Sequence, residues 1–389
     1  MKQTLTFNPS IIGSTASKLN VDAWDIASDA YDKKEYLKSF HALLDYINPD
    51  IRVKYGNAND SEYSIPHGSV IVNIKVDTDT LKISAPFLKI PETNRVPLLR
   101  QTASLNFRNI DLAQIELKDG QLQFEYSCPM ALADPYKMYY VFREICYTGD
   151  KYDDEFATKF GAERIYEPKI TPYNAATVDT VYNTIQSSCK ECMEGLKYYE
   201  NERKYGYAWN VVACTILKIL YYAHPQGQLL NDLNKTVYEL DREDIPLSEV
   251  VNIGKREVER LQGMTKEQLA EDLYFVEMFV SPKRRSSLKN IQDNFENTYK
   301  KVTNYIEQED YMAVAVMVTY SFYNMYFYNN VQDDVNNLVV NAMTESSAKP
   351  WHEAAPILYK AMDKIMNGNL SAGSGGGFKK FLGGLFGGK

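Results

Sequence analysis

The chain has 389 residues, of which 44% are apolar and 24% charged, with a formal net charge of −8. At about 150 residues per domain this is two or three domains, each long enough to bury a core, and the composition excludes global disorder, a collagen-like repeat and a polytopic membrane protein. A net-acidic surface lacks the concentration of Lys and Arg that phosphate binding needs, so no nucleic-acid partner is expected.

The first residues, MKQTLTFNPSIIGS, hold one Lys and no apolar run of signal-peptide length, which points to a cytoplasmic protein. Five scattered cysteines (Cys128, Cys146, Cys189, Cys192, Cys214) suit reduced thiols better than a disulfide framework. Cys189 and Cys192 form a CxxC, but the surrounding TVYNTIQSSCKECMEGLKYY has helical spacing, where positions three apart share a face, so packing is preferred over metal or redox chemistry.

In chain order, Asn20 is a candidate N-cap, and Val21, Trp24, Ala27, Tyr31, Tyr36, Phe40, Leu43, Leu44 and Ile47 follow at helical steps. This predicts one long amphipathic helix, kinked near residues 32–34 and ended by Asn48-Pro49. Residues 51–55, 69–76 and 81–88 read as strands of an antiparallel meander. Residues 95–107 return to helical spacing, and 113–117 with 122–128 flank Lys118-Asp119-Gly120-Gln121 as a hairpin. Asp134 is placed to cap a helix running to about Phe160, with Gly161 as its stop.

The order α-β-β-β-α-β-β-α predicts an α+β domain with helices against an antiparallel sheet over residues 1–167. That order, the hairpin AQIELKDGQLQFEYSCPM and the helix ending in YDDEFATKFGA resemble the type III secretion chaperone-like fold, in particular its bacterial YbjN-type branch, over about 40% of the chain. The resemblance implies a non-enzymatic domain, often a homodimer, that holds a segment of another protein on an exposed sheet or helix face. No specific functional residue carries over, because the family's pattern is one of packing.

Residues 168–175, which overlap the proline-containing EPKITPYN of residues 167–174, read as a linker, and residues 176–367 as an all-α bundle. Its expected helices are 176–202, 205–223, 227–240, 247–262, 265–280, 285–308, 310–330, 332–345 and 351–367. Residues 311–332 carry no charge and are long enough to span a bilayer of about 30 Å, but five tyrosines and acidic flanks favour a central bundle helix.

No phosphate-cradling or nucleophile-elbow motif occurs, and the four histidines are far apart. His352-Glu353 begins a zinc-protease-like pair, but Pro356 takes the place of the second ligand. The acidic runs around Asp150, Asp153, Asp154 and Glu155, and around Glu307, Glu309 and Asp310, lack EF-hand spacing and read as solvated faces. No catalytic, cofactor or metal residue is assigned, so enzyme status stays open, with a non-enzymatic reading preferred. The alternative is an enzyme or small-ligand binder with an aromatic-lined site built from residues 198–222 and 311–328.

Residues 368–389 differ from the rest: GNLSAGSGGG reads as a flexible linker, followed by FKKFLGGLFGGK. Phe378, Phe381, Leu382, Leu385 and Phe386 fall on one helical stripe, flanked by Lys379, Lys380 and Lys389, with no acid after Asp363. The stripe cannot bury itself, and Gly383 and Gly384 each weaken an isolated helix by about 1 kcal/mol. The expected partner-binding residues are therefore Phe378, Lys379, Lys380, Phe381, Leu382, Leu385 and Phe386, acting on a protein groove or an anionic membrane surface. Together these readings predict an adaptor or chaperone-like protein that binds a protein partner or its own copy.

Overall fold

A computed structural model describes residues 3–12, 20–281 and 283–370. The chain divides into two compact units, each discontinuous in sequence. One is α+β and contains residues 20–172 and 274–281; the other is helical and contains residues 3–12, 173–273 and 283–370.

The α+β unit opens with α1 (Val21–Asp32) and α2 (Tyr36–Ile47). These are two helices where one kinked helix was expected, because Lys34 takes a left-handed backbone (φ 62°) that breaks the helical hydrogen-bond ladder. Residues 51–55, expected as a strand, form the short helix α3 (Ile51–Tyr55), since Pro49 and Asp50 restart the chain in a turn. The first strand is instead β1 (Glu62–His67), followed by β2 (Val70–Val76), β3 (Thr80–Lys89), α4 (Arg95–Arg108), β4 (Gln114–Lys118), β5 (Gln121–Pro129) and α5 (Pro135–Phe160). The sheet order is β1-β2-β3-β5-β4, all antiparallel, with the short β6 (Glu163–Arg164) paired to the end of β3. Alternating residues such as Val72, Ile74, Leu81, Ile83 and Phe124 point to the buried face, while Ser64, Asn73, Ser84 and Gln123 populate the other.

β7 (Ile170–Pro172) lies in the segment read as a linker and pairs with β8 (Tyr274–Val276), part of a region expected to continue a helix through residue 280. That helix stops early: α10 (Lys266–Glu271), opened by a Thr265–Gln268 capping box, gives way to the strand. The next residues lock into the α+β unit. Gly68 N–H donates to the Glu277 carbonyl (3.0 Å), Phe279 N–H donates to His67 Nδ1 (3.0 Å), and the Phe279 ring packs on Phe142 at 4.8 Å.

The helical unit holds α6 (Ala175–Asn201), α7 (Tyr205–Ala223), α8 (Gly227–Leu240), α9 (Leu247–Gly263), α10, α11 (Leu288–Glu307), α12 (Tyr311–Tyr328), α13 (Asp333–Ser346) and α14 (Trp351–Met366), with β9 (Arg284–Arg285) paired to β10 (Asn329–Asn330). α12 packs against α7, α11 and α14 and buries Val314, Val318, Phe322, Tyr323 and Tyr326. Two of its polar side chains bond within the helix or to a neighbour: Tyr326 donates to Asn336 Oδ1 at 2.9 Å and Asn324 Nδ2 donates to the Tyr320 hydroxyl at 3.3 Å. No described helix is long and apolar enough to cross a membrane.

Burial of two histidines makes stability pH-dependent. His67 sits at 4% exposure, and desolvation lowers its pKa to about 4; His224, in the helical unit, is lowered to about 3 by burial and by Lys283. An unfolded His binds a proton near pH 6.5, so below that pH the unfolded chain holds more protons and stability falls as pH falls. The His67 contribution is complete above pH 6.5 and is lost down to about pH 4, at about 1.4 kcal/mol per pH unit. Urea unfolding of the full chain between pH 7 and 5 should show this slope. His67→Gln, which keeps an acceptor for the Phe279 amide, should flatten it for the α+β transition; an unchanged slope would contradict this assignment.

Candidate functional site

The helix α5 carries the most distinctive exposed face of the α+β unit. Asp134 accepts from Lys137 N–H (3.1 Å) and Pro135 starts the first turn, so the helix entry follows directly from sequence. One face, with Met138, Val141, Phe142, Ile145 and Cys146, is buried against the sheet. Gly149 allows a close approach there, because a Cβ at this position would lie 2.8 Å from Val70 Cγ1.

The opposite face presents Tyr136, Tyr140, Arg143 and Tyr147, spaced four, three and four residues apart. The three tyrosines are 66%, 47% and 55% exposed, unusual for rings of this size along one stripe. They are also held in place. Tyr136 is edge-on to Trp24 (4.6 Å), which in turn packs on Tyr46 (4.8 Å). Tyr140 donates to Asp111 Oδ2 (3.0 Å), and Lys151 Nζ stands 5.5 Å from the Tyr147 ring centre. The Asp111 loop is itself fixed by Glu144, a buried carboxylate that accepts from the N–H groups of Asp111, Leu112 (3.1 Å) and Ala113 (2.8 Å).

The sheet edges are less available. On β4, Asn106 donates to the Ile115 carbonyl (2.9 Å) and accepts from the Ile115 N–H (2.8 Å), occupying the outward backbone groups at the middle of this edge. On β1, Pro66 has no N–H to offer, Gly56 bridges Tyr63 and Asn57 N–H donates to the Glu62 carbonyl.

The aromatic residues of 198–222 and 311–328 pack mostly on one another. Tyr199 stacks on Tyr207 (5.6 Å), Trp209 meets Tyr320 (5.1 Å), and Tyr221 contacts Tyr326 (4.5 Å) and Tyr323 (6.0 Å). Tyr199, Tyr323 and Tyr326 lie in the bundle interior. An open recess of about 540 Å³ is instead lined by Gln3, Thr6, Lys190, Glu191 and Glu194. Near it, Lys218 is 1% exposed; its Nζ donates to Thr6 Oγ1 (2.9 Å) and lies 3.7 Å from Glu191. Desolvation lowers the Lys218 pKa and the neighbouring Glu191 carboxylate opposes that shift. Glu191 also accepts from Thr6 N–H (2.9 Å) and Thr6 Oγ1 (2.8 Å), so Lys218 and Glu191 together tie residues 3–12 to α6 and α7.

All five cysteines are buried and free, and burial pushes Cys189 and Cys192 up to about 12, which makes them poor nucleophiles. Among the described residues no group of three His, Cys, Asp or Glu side chains is placed to hold a metal ion. Of the acidic runs expected to be solvated, Asp153 is not: it is buried and paired with Arg164 at 2.7 Å. Asp310 accepts from Ala313 N–H as the cap of α12.

The seven residues expected to bind a partner, Phe378, Lys379, Lys380, Phe381, Leu382, Leu385 and Phe386, lie outside the described residues. The sequence signal for the tyrosine stripe is the 4-3-4 spacing of Tyr136, Tyr140, Arg143 and Tyr147. Comparison with known proteins finds no matching family model and no matching curated protein.

Proposed function

We propose that this chain is a non-enzymatic adaptor or chaperone-like protein whose α+β unit binds a protein partner, or a second copy, through the outer face of α5. The observation that carries the reading is the ordered stripe Tyr136, Tyr140, Arg143 and Tyr147. Tyr and Arg dominate the energetics of protein interfaces, and rings already fixed by Trp24 and Asp111 lose little entropy on binding. Because Asn106 occupies the Ile115 backbone groups at the middle of the β4 edge, the helix face is favoured over strand addition among the two surfaces that the chaperone-like resemblance implies. The tail stripe from Phe378 to Phe386 supplies a second docking element.

The test uses the immobilised full chain and its Tyr140→Glu/Tyr147→Glu variant, with sedimentation to follow self-association. The unaltered chain should retain a specific protein or sediment as a dimer. The variant should lose that interaction at least tenfold with an unchanged melting temperature. Equal retention by both chains, or no retained protein and a monomer throughout, would overturn the reading.

A further inference from the structure

We infer that the tail docks back on its own chain, on an aromatic patch at one end of the helical unit formed by Tyr238 of α8 with Phe327 and Tyr328 of α12. The inference rests on the reading of residues 377–389 as a docking segment and names its receptor.

The patch is an apolar surface left partly uncovered. Tyr238 is 58% exposed in the last turn of α8, its ring 6.2 Å from Phe327, which is 4.7 Å from Tyr328; both α12 rings are half-buried. Edge-on rings of this kind leave faces on which a Phe or Leu side chain packs.

The chain leaves the helical unit at the same end. α11 and α12 are joined by residues 308–310 and pack side by side, so the end of α12 lies near the start of α11. The pairing of Asn329 with Arg284 confirms that proximity. Gln292, in the second turn of α11, donates to the carbonyls of Ile365 (2.9 Å) and Met366 (3.1 Å), which brings the end of α14 to this end as well. Leu370 still packs on the helical core. From there, residues 371–377 allow Phe378 to lie up to about 26–29 Å away, whereas neighbouring helix axes are about 8–10 Å apart.

Charge matches in sign. Arg242 is engaged by Glu239 (3.1 Å) and Asp244 (2.6 Å), whereas among the described residues neither Asp241 nor Glu243 makes an ion pair. Asp241 is within electrostatic reach of Tyr320 and Tyr328. The tail brings Lys379, Lys380 and Lys389 and no acid. Its stripe of Phe378, Phe381, Leu382, Leu385 and Phe386 would cover the rings while the lysines meet the carboxylates.

Zero-length carbodiimide cross-linking of the full chain, read by peptide mass spectrometry, tests this. Lys379 or Lys380 should link to Asp241 or Glu243 within the monomer band. Phe381→Asp/Leu385→Asp and Tyr238→Ala should each reduce that link at least fivefold without shifting the melting temperature. A link found only in the dimer band, or one indifferent to these changes, overturns docking in cis. Tail links only to a co-purified protein, or flotation of the full chain with phosphatidylserine vesicles without the internal link, overturn the receptor but leave the tail a docking segment. No link of any kind, no flotation and no hydrogen-exchange protection in residues 378–386 overturn both.

Discussion

Glu191→Ala should cost the helical unit about 3–5 kcal/mol in denaturant unfolding at pH 7. The loss comes from what remains behind: Lys218, 1% exposed, keeps only the Thr6 hydroxyl as a partner, and the Thr6 N–H loses its acceptor. Deprotonating the stranded ammonium bounds the cost. An ordinary Lys near 10.4 must be neutralised at pH 7, and at about 1.4 kcal/mol per pH unit that is about 5 kcal/mol. Lys218→Met in the same chain removes the charge while keeping most of the volume, and should recover most of the stability. A buried ion pair is expensive to break singly and cheap to replace as a pair. If Glu191→Ala unfolds at the same denaturant concentration as the unaltered chain, solvent reaches Lys218 and the site is an ordinary surface pair.

A second large effect is expected at Gly254, where α9 crosses α7. A Cβ built there would stand 2.2 Å from Val212 Cγ1 and 3.0 Å from Leu240 Cδ2. Leu240 has rotatable bonds with which to yield, but Val212 is fully buried and β-branched, with essentially one side-chain rotamer in a helix. Replacing a mid-helix Gly gains about 1 kcal/mol of helix propensity, and this opposes the clash. For Gly254→Ala the clash with the fixed Val212 outweighs that gain, with a net loss of about 1–2 kcal/mol. For Gly254→Leu the overpacking wins, with a net loss of about 3 kcal/mol and a melting temperature lower by about 6–12 °C. Val212→Ala should restore part of that loss. A Gly254→Leu chain as stable as its parent would show that the crossing has slack.

The sequence was legible wherever a local signal agreed with the final packing. Asp134, Gly161 and the Asp119-Gly120 turn mark element ends in the structure as they do in the sequence, because caps and left-handed turns are decided within a few residues. Residues 51–55 misled because IRVKY has strand composition but only Ile51 is buried, so nothing pulls it into the sheet. Residues 265–280 misled for a tertiary reason. Phe279 and Val280 satisfy the helical pattern equally well, yet they belong to the α+β core and pull the chain out of helix. Lys218 was invisible as a buried charge: its helix is apolar on nearly every side, and only Thr6 and Glu191, 212 and 27 residues away along the chain, explain it. The tyrosine stripe of α5 was written in the spacing but concealed by the rule that rings belong inside.

The placement of residues 3–12 bears on how the protein is made. Thr4 N–H donates to the Lys349 carbonyl (2.9 Å), and Phe7 packs on Tyr221 and Tyr323, so residues 3–12 complete a core that includes helices translated much later, Lys349 following Thr4 by 345 residues. Contacts this distant along the chain raise the entropic barrier and slow folding. At a synthesis rate of about 5–20 residues per second, Thr4 waits on the order of 17–70 s for its partner. Within that wait the α+β elements between residues 20 and 172 emerge well before Phe279, and Phe279 before Lys349, so neither unit closes its core until late in translation. Fragments cut at the apparent boundary near residue 172 therefore inherit a wound on each side: 173–389 lacks Thr6 and Phe7, and 1–172 lacks Phe279.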